Sequence, residues 1–148
     1  WDYPRPPALV GDVREVVVSL GGVEIARSRR SLRVLETASP PTFYLPPEDV
    51  RREFFKPATD SSFCEWKGQA TYWDVDVRQA KEQRLAWSYP NPFRDAADLA
   101  GYFSFYPARA DCWVDGEEVR AQAGGFYGGW VTDEIVGPFK GEPGTGHW

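Results

Sequence analysis

The chain has 148 residues, of which 42% are hydrophobic and 26% charged, with a formal net charge of -5 and a pI near 4.9. That length holds one domain with a continuous core, the composition is globular rather than disordered, and no apolar run approaches the roughly 18 residues of a membrane span. The acidic balance opposes a sequence-independent grip on a phosphate backbone, which needs a basic face to release counterions, so neither nucleic acid nor a membrane is an expected partner.

Taken in chain order, Val13 to Leu20 and Val23 to Ala26 are two β runs on either side of Gly21-Gly22, a two-residue turn that closes a hairpin. The basic residues Arg27, Arg29, Arg30 and Arg33 follow, and are expected to form a solvated edge. Leu32 to Glu36 and Thr42 to Leu45 are short runs divided by Pro40-Pro41, which cannot sit inside a central strand. Pro47 with the following E-D-V-R-R-E-F predicts two helical turns, with proline at the start and acidic residues in the first turn. Gln69 to Val77, Arg84 to Tyr89, Tyr102 to Tyr106 and Asp111 to Val114 are further strands. Between them, Arg94 to Ala100, closed by Gly101, is the second short helical candidate, and Asp115-Gly116 turns the chain into Glu117 to Val119. Seven to ten short strands and two minor helical turns predict a single mainly β domain over residues 1–148, built as a barrel or as paired sheets.

Two cysteines, Cys64 and Cys112, are too few for a disulfide framework, and with the single histidine, His147, they cannot fill a four-ligand zinc site. No metal or cofactor is expected, and the cysteine usage favours the cytoplasm. The chain contains no methionine, so it is expected to begin after its initiator.

Of the 23 aromatic residues, 17 fall between Phe63 and Trp148, more rings than a core of this size needs. The segment Gly124 to Trp130 alternates glycine pairs with rings, a pattern that lets backbone approach closely while rings wall a concavity. Just before a strand, Cys64-Glu65-Trp66-Lys67-Gly68 sets a thiol, a cation and an indole within five residues. An ammonium beside Cys64 would favour the thiolate, a nucleophile or redox group, although a lone cysteine is more often a small buried hydrophobe. Lys67, for its part, equally suits a role covering apolar surface or pairing with Glu36. Asp74 and Asp76 lie on one face of a strand, as magnesium-holding carboxylates do, but no Gly-Ser helix start accompanies them and a solvent face explains the pair as well.

These motifs together resemble the bacterial and fungal domain of unknown function family 427 (DUF427), which has also carried a nucleotidyltransferase-like heading. The resemblance rests on Trp1 to Pro7, on L-E-T from Leu35 with Pro40-Pro41 and Tyr44-Leu45-Pro46, and on Cys64 to Gly68 with Tyr72-Trp73. It continues through Ala86 to Pro90, Gly101-Tyr102, Phe105-Tyr106-Pro107 and Gly124 to Trp130, and ends on Val136 to Gly141. Ser39 stands where many members have histidine, and Glu65 where proline is common. The resemblance implies a β-tent-like fold, two antiparallel sheets meeting at an angle, similar to methionine sulfoxide reductase B and the ligand-binding domain of cereblon. Those two relatives differ in function, one a thiol enzyme and the other an aromatic-cage binder, and both usually hold zinc through Cys-x-x-Cys pairs that this chain lacks. Asp74 and Asp76 fall outside the shared motifs, so nucleotidyl transfer gains no support.

The leading expectation is a module, monomeric or weakly self-associating, that binds a small molecule in an aromatic pocket. Trp66, Tyr72, Trp87, Tyr89, Tyr102 and Tyr106 would line it together with Tyr44, Tyr127 and Trp130, while Glu36 and Lys67 orient the ligand. The alternative is a small enzyme using Cys64, Lys67 and Glu36 for thiol or acid–base chemistry. A third reading, partner binding through Pro4 to Pro7, has less behind it because that segment more simply packs on its own domain.

Overall fold

Strand formation follows the β-branched runs and the glycine turns between them. The computed structural model describes residues 8–35, 40–64, 68–78, 80–92, 94–121 and 129–132, with the backbone alone at 59–64, 68, 94 and 95. Strands β2 (Val16–Leu20) and β3 (Val23–Ser28) form the expected hairpin. Its turn needs positive φ at both central residues, and Gly21 (φ 57°) and Gly22 (φ 80°) supply it. Asp115 (φ 46°) and Gly116 (φ 83°) make the same kind of turn between β10 (Asp111–Val114) and β11 (Glu117–Glu118).

Four antiparallel ladders result. One is β1 (Ala8–Asp12), β4 (Ser31–Leu35) and β5 (Thr42–Tyr44), in the order β1-β4-β5, and a second is β11-β10-β2-β3. The third runs β6 (Phe55–Cys64), β7 (Gly68–Val77), β8 (Ala80–Ser88) and β9 (Phe103–Phe105), and the fourth is the short ribbon of β12 (Arg120–Ala121) and β13 (Trp130–Val131). The sequence leaves a barrel and paired sheets open, and backbone bonds across the ladder ends decide how the ladders join. Leu45 and Phe103 exchange both hydrogen bonds, N to O at 2.7 and 2.8 Å, so β5 continues onto β9 and the three- and four-stranded ladders become one seven-stranded sheet. The amide of Trp130 donates to the carbonyl of Pro41 at 2.8 Å and ties the ribbon to the start of β5.

Each face of the joined sheet carries its own apolar cluster. On one face Phe43, Trp73, Val75, Ala86, Phe103 and Phe105 meet Val16, Val18, Ile25, Cys112 and Val114 from β2, β3 and β10. Phe43, Phe105 and Trp130 are almost wholly buried there, each burial stabilising the fold by about 2–3 kcal/mol. On the other face Val34, Tyr44, Ala70, Trp87 and Tyr89 pack with Ala96 and Leu99, and Tyr72, Tyr102 and Tyr106 lie half-buried at its margin.

Three features depart from the sequence reading. The segments expected as short helices are 3-10 turns at Pro47–Asp49, Arg52–Phe54 and Arg94–Leu99, the last kinked at Ala96. Between the first two, Val50 is extended and bridges Ala26, while the amide of Arg51 donates to Ile25; strand pairing wins over a helix too short to nucleate. Strands β1 and β6 are additional. In the third ladder β6 is the edge strand, where Pro57 needs no inward donor, and its polar run Thr59 to Ser62 hides any alternation.

Two outcomes follow for stability. A Cβ on Gly21 would lie 2.8 Å from the Cβ of Ala80 and would force positive φ on an alanine. Gly21→Ala is therefore expected to cost at least about 1–2 kcal/mol in urea denaturation. Asp12, almost buried, would have its pKa raised by burial, but hydrogen bonds from Arg14 and the charges of Arg14 and Arg33 outweigh that and hold it below the usual carboxylate value. A lowered folded-state pKa contributes stability above the unfolded value of 3.8 that is lost as pH falls through the folded one. Asp12→Asn should lower stability at pH 7 by about 1–3 kcal/mol and flatten its fall between pH 5 and pH 2.

Candidate functional site

The joined sheet sets one cross-strand row on its aromatic face. Tyr72 pairs with Trp87, Trp87 with Ser104, and Tyr44 with Leu32, while the Leu45–Phe103 bridge puts Tyr44 opposite Ser104. Serine is small enough for the rings on either side to close over it. The indole Nε1 of Trp87 donates to the hydroxyl of Tyr44 at 2.9 Å, and the two rings meet edge to face at 6.1 Å. Tyr89 lies 6.4 Å from Tyr44, and Tyr106 packs 4.5 Å from Trp87. Among the described residues the hydroxyl of Ser104, fully buried between Trp87 and Tyr44 in this row, has no hydrogen-bond partner.

At the margin of the row, irregular pairing on both sides of β7 changes what the rings meet. β6 carries three residues between Pro57 and Ser61 where β7 has only Tyr72, and β8 carries three between Glu82 and Ala86 where β7 has only Asp74. Such bulges re-aim side chains. In the β8 bulge Arg84 holds a φ of 54°, a conformation that costs a non-glycine residue on the order of 1 kcal/mol, and two side chains hold it there. The carboxylate of Asp74 accepts the Arg84 amide at 2.9 Å, and Arg109 donates to the carbonyls of Gln83 at 2.9 Å and Arg84 at 3.2 Å. So placed, the Arg84 guanidinium lies 4.2 Å from the centre of the Tyr72 ring and that of Arg109 5.3 Å from the centre of Tyr106. The Tyr72 phenol lies near enough to that of Tyr106 to oppose its ionisation. Burial and then the Tyr72 phenol push the Tyr106 pKa up to about 12 against the opposing pull of Arg84 and Arg109, so this phenol stays protonated at neutral pH.

Of the residues expected to bind a ligand, the structure thus brings together Tyr44, Tyr72, Trp87, Tyr89 and Tyr106. Tyr102 packs half-buried at the margin of the same cluster. Trp130 belongs to the opposite cluster: it stacks on Phe43 at 5.0 Å and donates from Nε1 to the carbonyl of Phe105 at 3.0 Å, wholly buried. Cys64 ends β6 opposite Gly68. The Cys64 side chain, Glu36, Trp66, Lys67 and Tyr127 lie outside what the structure describes, and so does most of the Gly124 to Trp130 segment. Arg84 and Arg109 were not singled out from sequence; the adjacent exposed residues Gln83 and Arg84, which break the alternation of β8, are the trace a bulge leaves.

The remaining candidates take structural roles. Cys112 is a buried free cysteine, and burial followed by the charge of Asp111 raises its thiol pKa well above the ordinary value, which keeps it from acting as a nucleophile. Asp74 serves the bulge, and exposed Asp76 sits 3.7 Å from Lys81. Among the described residues no group of three His, Cys, Asp or Glu side chains could hold a metal ion. The basic cluster is matched by acids: Arg27 with Glu24 and Glu15, Arg29 with Glu15, Arg30 with Asp49, and Arg33 with Asp12. A cleft of about 280 Å³ between β3 and the 47–51 turn has Glu24, Arg27, Glu48, Asp49 and Arg51 on its walls and none of the expected aromatic residues.

Residues 8–116 match the profile of a family described as a domain of unknown function, DUF427. The match takes in the whole Tyr44–Trp87–Tyr106 group together with Arg84 and Arg109, and stops before Trp130. No curated protein matches the sequence.

The geometry around Ser104 predicts opposite effects for two substitutions. Ser104→Ala removes a buried hydroxyl that has no partner among the described residues and should leave stability unchanged or raise it by up to about 1 kcal/mol. Ser104→Leu forces the rings of Trp87 and Tyr44 apart and should cost about 1–3 kcal/mol, read as a lower urea midpoint and a change in tryptophan emission.

Proposed function

Since the chain belongs to DUF427, a family whose description assigns no activity, we propose its function from the geometry alone: a small-molecule-binding module whose contact surface is built on the half-buried Tyr72 and Tyr106, with the buried Trp87 behind them. The observation that carries this reading is the half-buried ring of Tyr106 packed 4.5 Å from an indole whose position is already fixed by its bond to Tyr44, with Tyr72 paired across the strands from the same indole. Rings held in place before a ligand arrives lose little freedom on binding, and tyrosine and tryptophan each offer an apolar face with a polar tip. Tyr89 and Tyr44 support the contact rings from beneath, and Tyr102 extends the aromatic margin. Glu36, Trp66, Lys67 and Tyr127 are the further contacts this reading carries over from the sequence. A free, buried Cys112 suits a reducing compartment, in keeping with a cytoplasmic protein.

Labelling the full chain with 5-fluorotryptophan tests this. Benzoate, phenol, indole and adenine are titrated to about 5 mM, enough to fill most of a site with a millimolar dissociation constant. The ¹⁹F resonance assigned to Trp87 through Trp87→Phe should shift saturably with at least one probe, while that of the wholly buried Trp130 stays still. A Trp87 resonance that none of the four probes moves in the folded protein rejects the reading.

A further inference from the structure

We propose that the solvent face of the β11-β10-β2-β3 ladder, centred on Trp113, docks an arginine-bearing segment of a partner protein. This face lies across the paired-sheet core from the aromatic surface above, and the inference stands independently of that reading.

Alternation along the strands fixes which side chains share the face. Cys112 and Val114 of β10 are buried in the core, so Asp111 and Trp113 stand on the other side, and Val17 and Ser19 of β2 do the same. Register then aligns Glu118, Trp113, Val17 and Arg27 in one cross-strand row, and Asp111, Ser19 and Glu24 in the next. Trp73, Trp87 and Trp130 each pack in or against an apolar cluster and donate from Nε1 to Ser88, Tyr44 and Phe105. Trp113 is different. It is half-buried, joins neither cluster, and among the described residues its indole makes no hydrogen bond or ring contact. Tryptophan on the water side of a sheet is the residue type that most often anchors a protein interface.

Charge around the indole selects the partner. From Asp111 to Glu118 the chain carries four carboxylates, Asp111, Asp115, Glu117 and Glu118, and no lysine or arginine. Asp111 and Glu118, the two that flank Trp113 on the face, are exposed and form no ion pair among the described residues. Asp115 accepts the Glu15 amide, which leaves its negative charge in place. At the far edge of the same face the charges are matched instead, Arg27 lying 2.6 Å from Glu24 and 3.0 Å from Glu15. Arg120, the next cation along the chain, opens β12 in the short ribbon and pairs with neither flanking acid.

The indole end of the face therefore favours a cation and repels lipid phosphate and nucleic acid. Arginine suits it best, because a planar guanidinium can stack on an indole and still turn its edge donors to a carboxylate. Glu118 sits about 5 Å across the ladder from Trp113 and Asp111 about 7 Å along the strand, both within reach of such an edge. A second copy fits less well, since copies of net charge -5 repel and Arg27, Arg29, Arg30 and Arg33 are already matched by their own acids.

A rhodamine-labelled peptide of alternating glycine and arginine, and its counterpart with neutral citrulline for arginine, test this by fluorescence anisotropy with the full chain at about 50 mM salt. The arginine peptide should bind at least about tenfold more tightly, and the difference should narrow as salt rises. Trp113→Leu, which keeps an apolar side chain but removes the ring, and Glu118→Gln should each weaken that binding about three- to tenfold. Asp98→Asn makes the same charge change on an exposed residue of the Arg94–Leu99 turn and should leave it unaltered. If Trp113→Leu melts early, the double variant of exposed residues, Asp111→Asn with Glu118→Gln, decides in its place, loss of binding supporting the proposal. Equal affinity for the two peptides, no binding of either, or arginine-peptide binding that survives in the deciding variant overturns it. So does a loss in Asp98→Asn as large as that in Glu118→Gln.

Discussion

The pair of backbone hydrogen bonds between Leu45 and Phe103 is the constraint on which the rest of the molecule depends. Without it β5 and β9 are the ends of two separate small ladders; with it they are neighbours in one sheet. A sheet of that width has two faces to cover. One packs on β2, β3 and β10 in the manner of paired sheets, and the other takes the 3-10 turn at Arg94–Leu99 together with the tyrosines and Trp87. The same bridge sets the register that puts Ser104 between Trp87 and Tyr44, so the bond between those two rings, 43 residues apart in sequence, follows from backbone pairing.

The two faces use their aromatic residues differently. In the paired-sheet core the rings are volume: Trp130 on Phe43 and Phe55 against Phe103 and Phe105 exclude water and satisfy an indole donor with a backbone carbonyl. On the other face they are polar as well as apolar. A phenol accepts from an indole, a buried serine hydroxyl lies in the same row, and guanidinium groups lie over the outer rings. A face of that kind is costly as pure core, because buried polar groups contribute only when satisfied, and it is well suited to contact with a molecule that has an apolar body and polar substituents.

Charge is arranged with the same division. Around β2, β3 and the 47–51 turn, arginines and carboxylates pair at the surface and largely cancel, which turns the basic cluster into an ordinary solvated edge. Arg84 and Arg109 lie over phenol rings at a bulge whose backbone Arg109 also braces. Irregular pairing on either side of β7 is what brings them there, since a regular β8 would have carried Arg84 past Asp74 without lifting it over Tyr72.

The sequence by itself determined the class of fold and its local joints. The Gly21-Gly22 and Asp115-Gly116 turns, the β-branched runs of β2 and β3, and the alternation along β7 are short-range signals, because turn chemistry and side-chain period act within a few residues. The density of rings after Phe63 was legible too, and with it five of the aromatic residues that come together around Trp87. Only tertiary structure decided which rings those were. Trp130 and Trp87 look alike in sequence, each in an aromatic motif, yet one is core and the other borders a polar aromatic face, because strand order and register assign faces and neither is encoded locally. The bulge that lifts Arg84 and the arrival of Arg109 beside it belong to the same category. They depend on register shifts between β6, β7 and β8 and on where the turn after β9 falls, long-range properties that no window of residues contains.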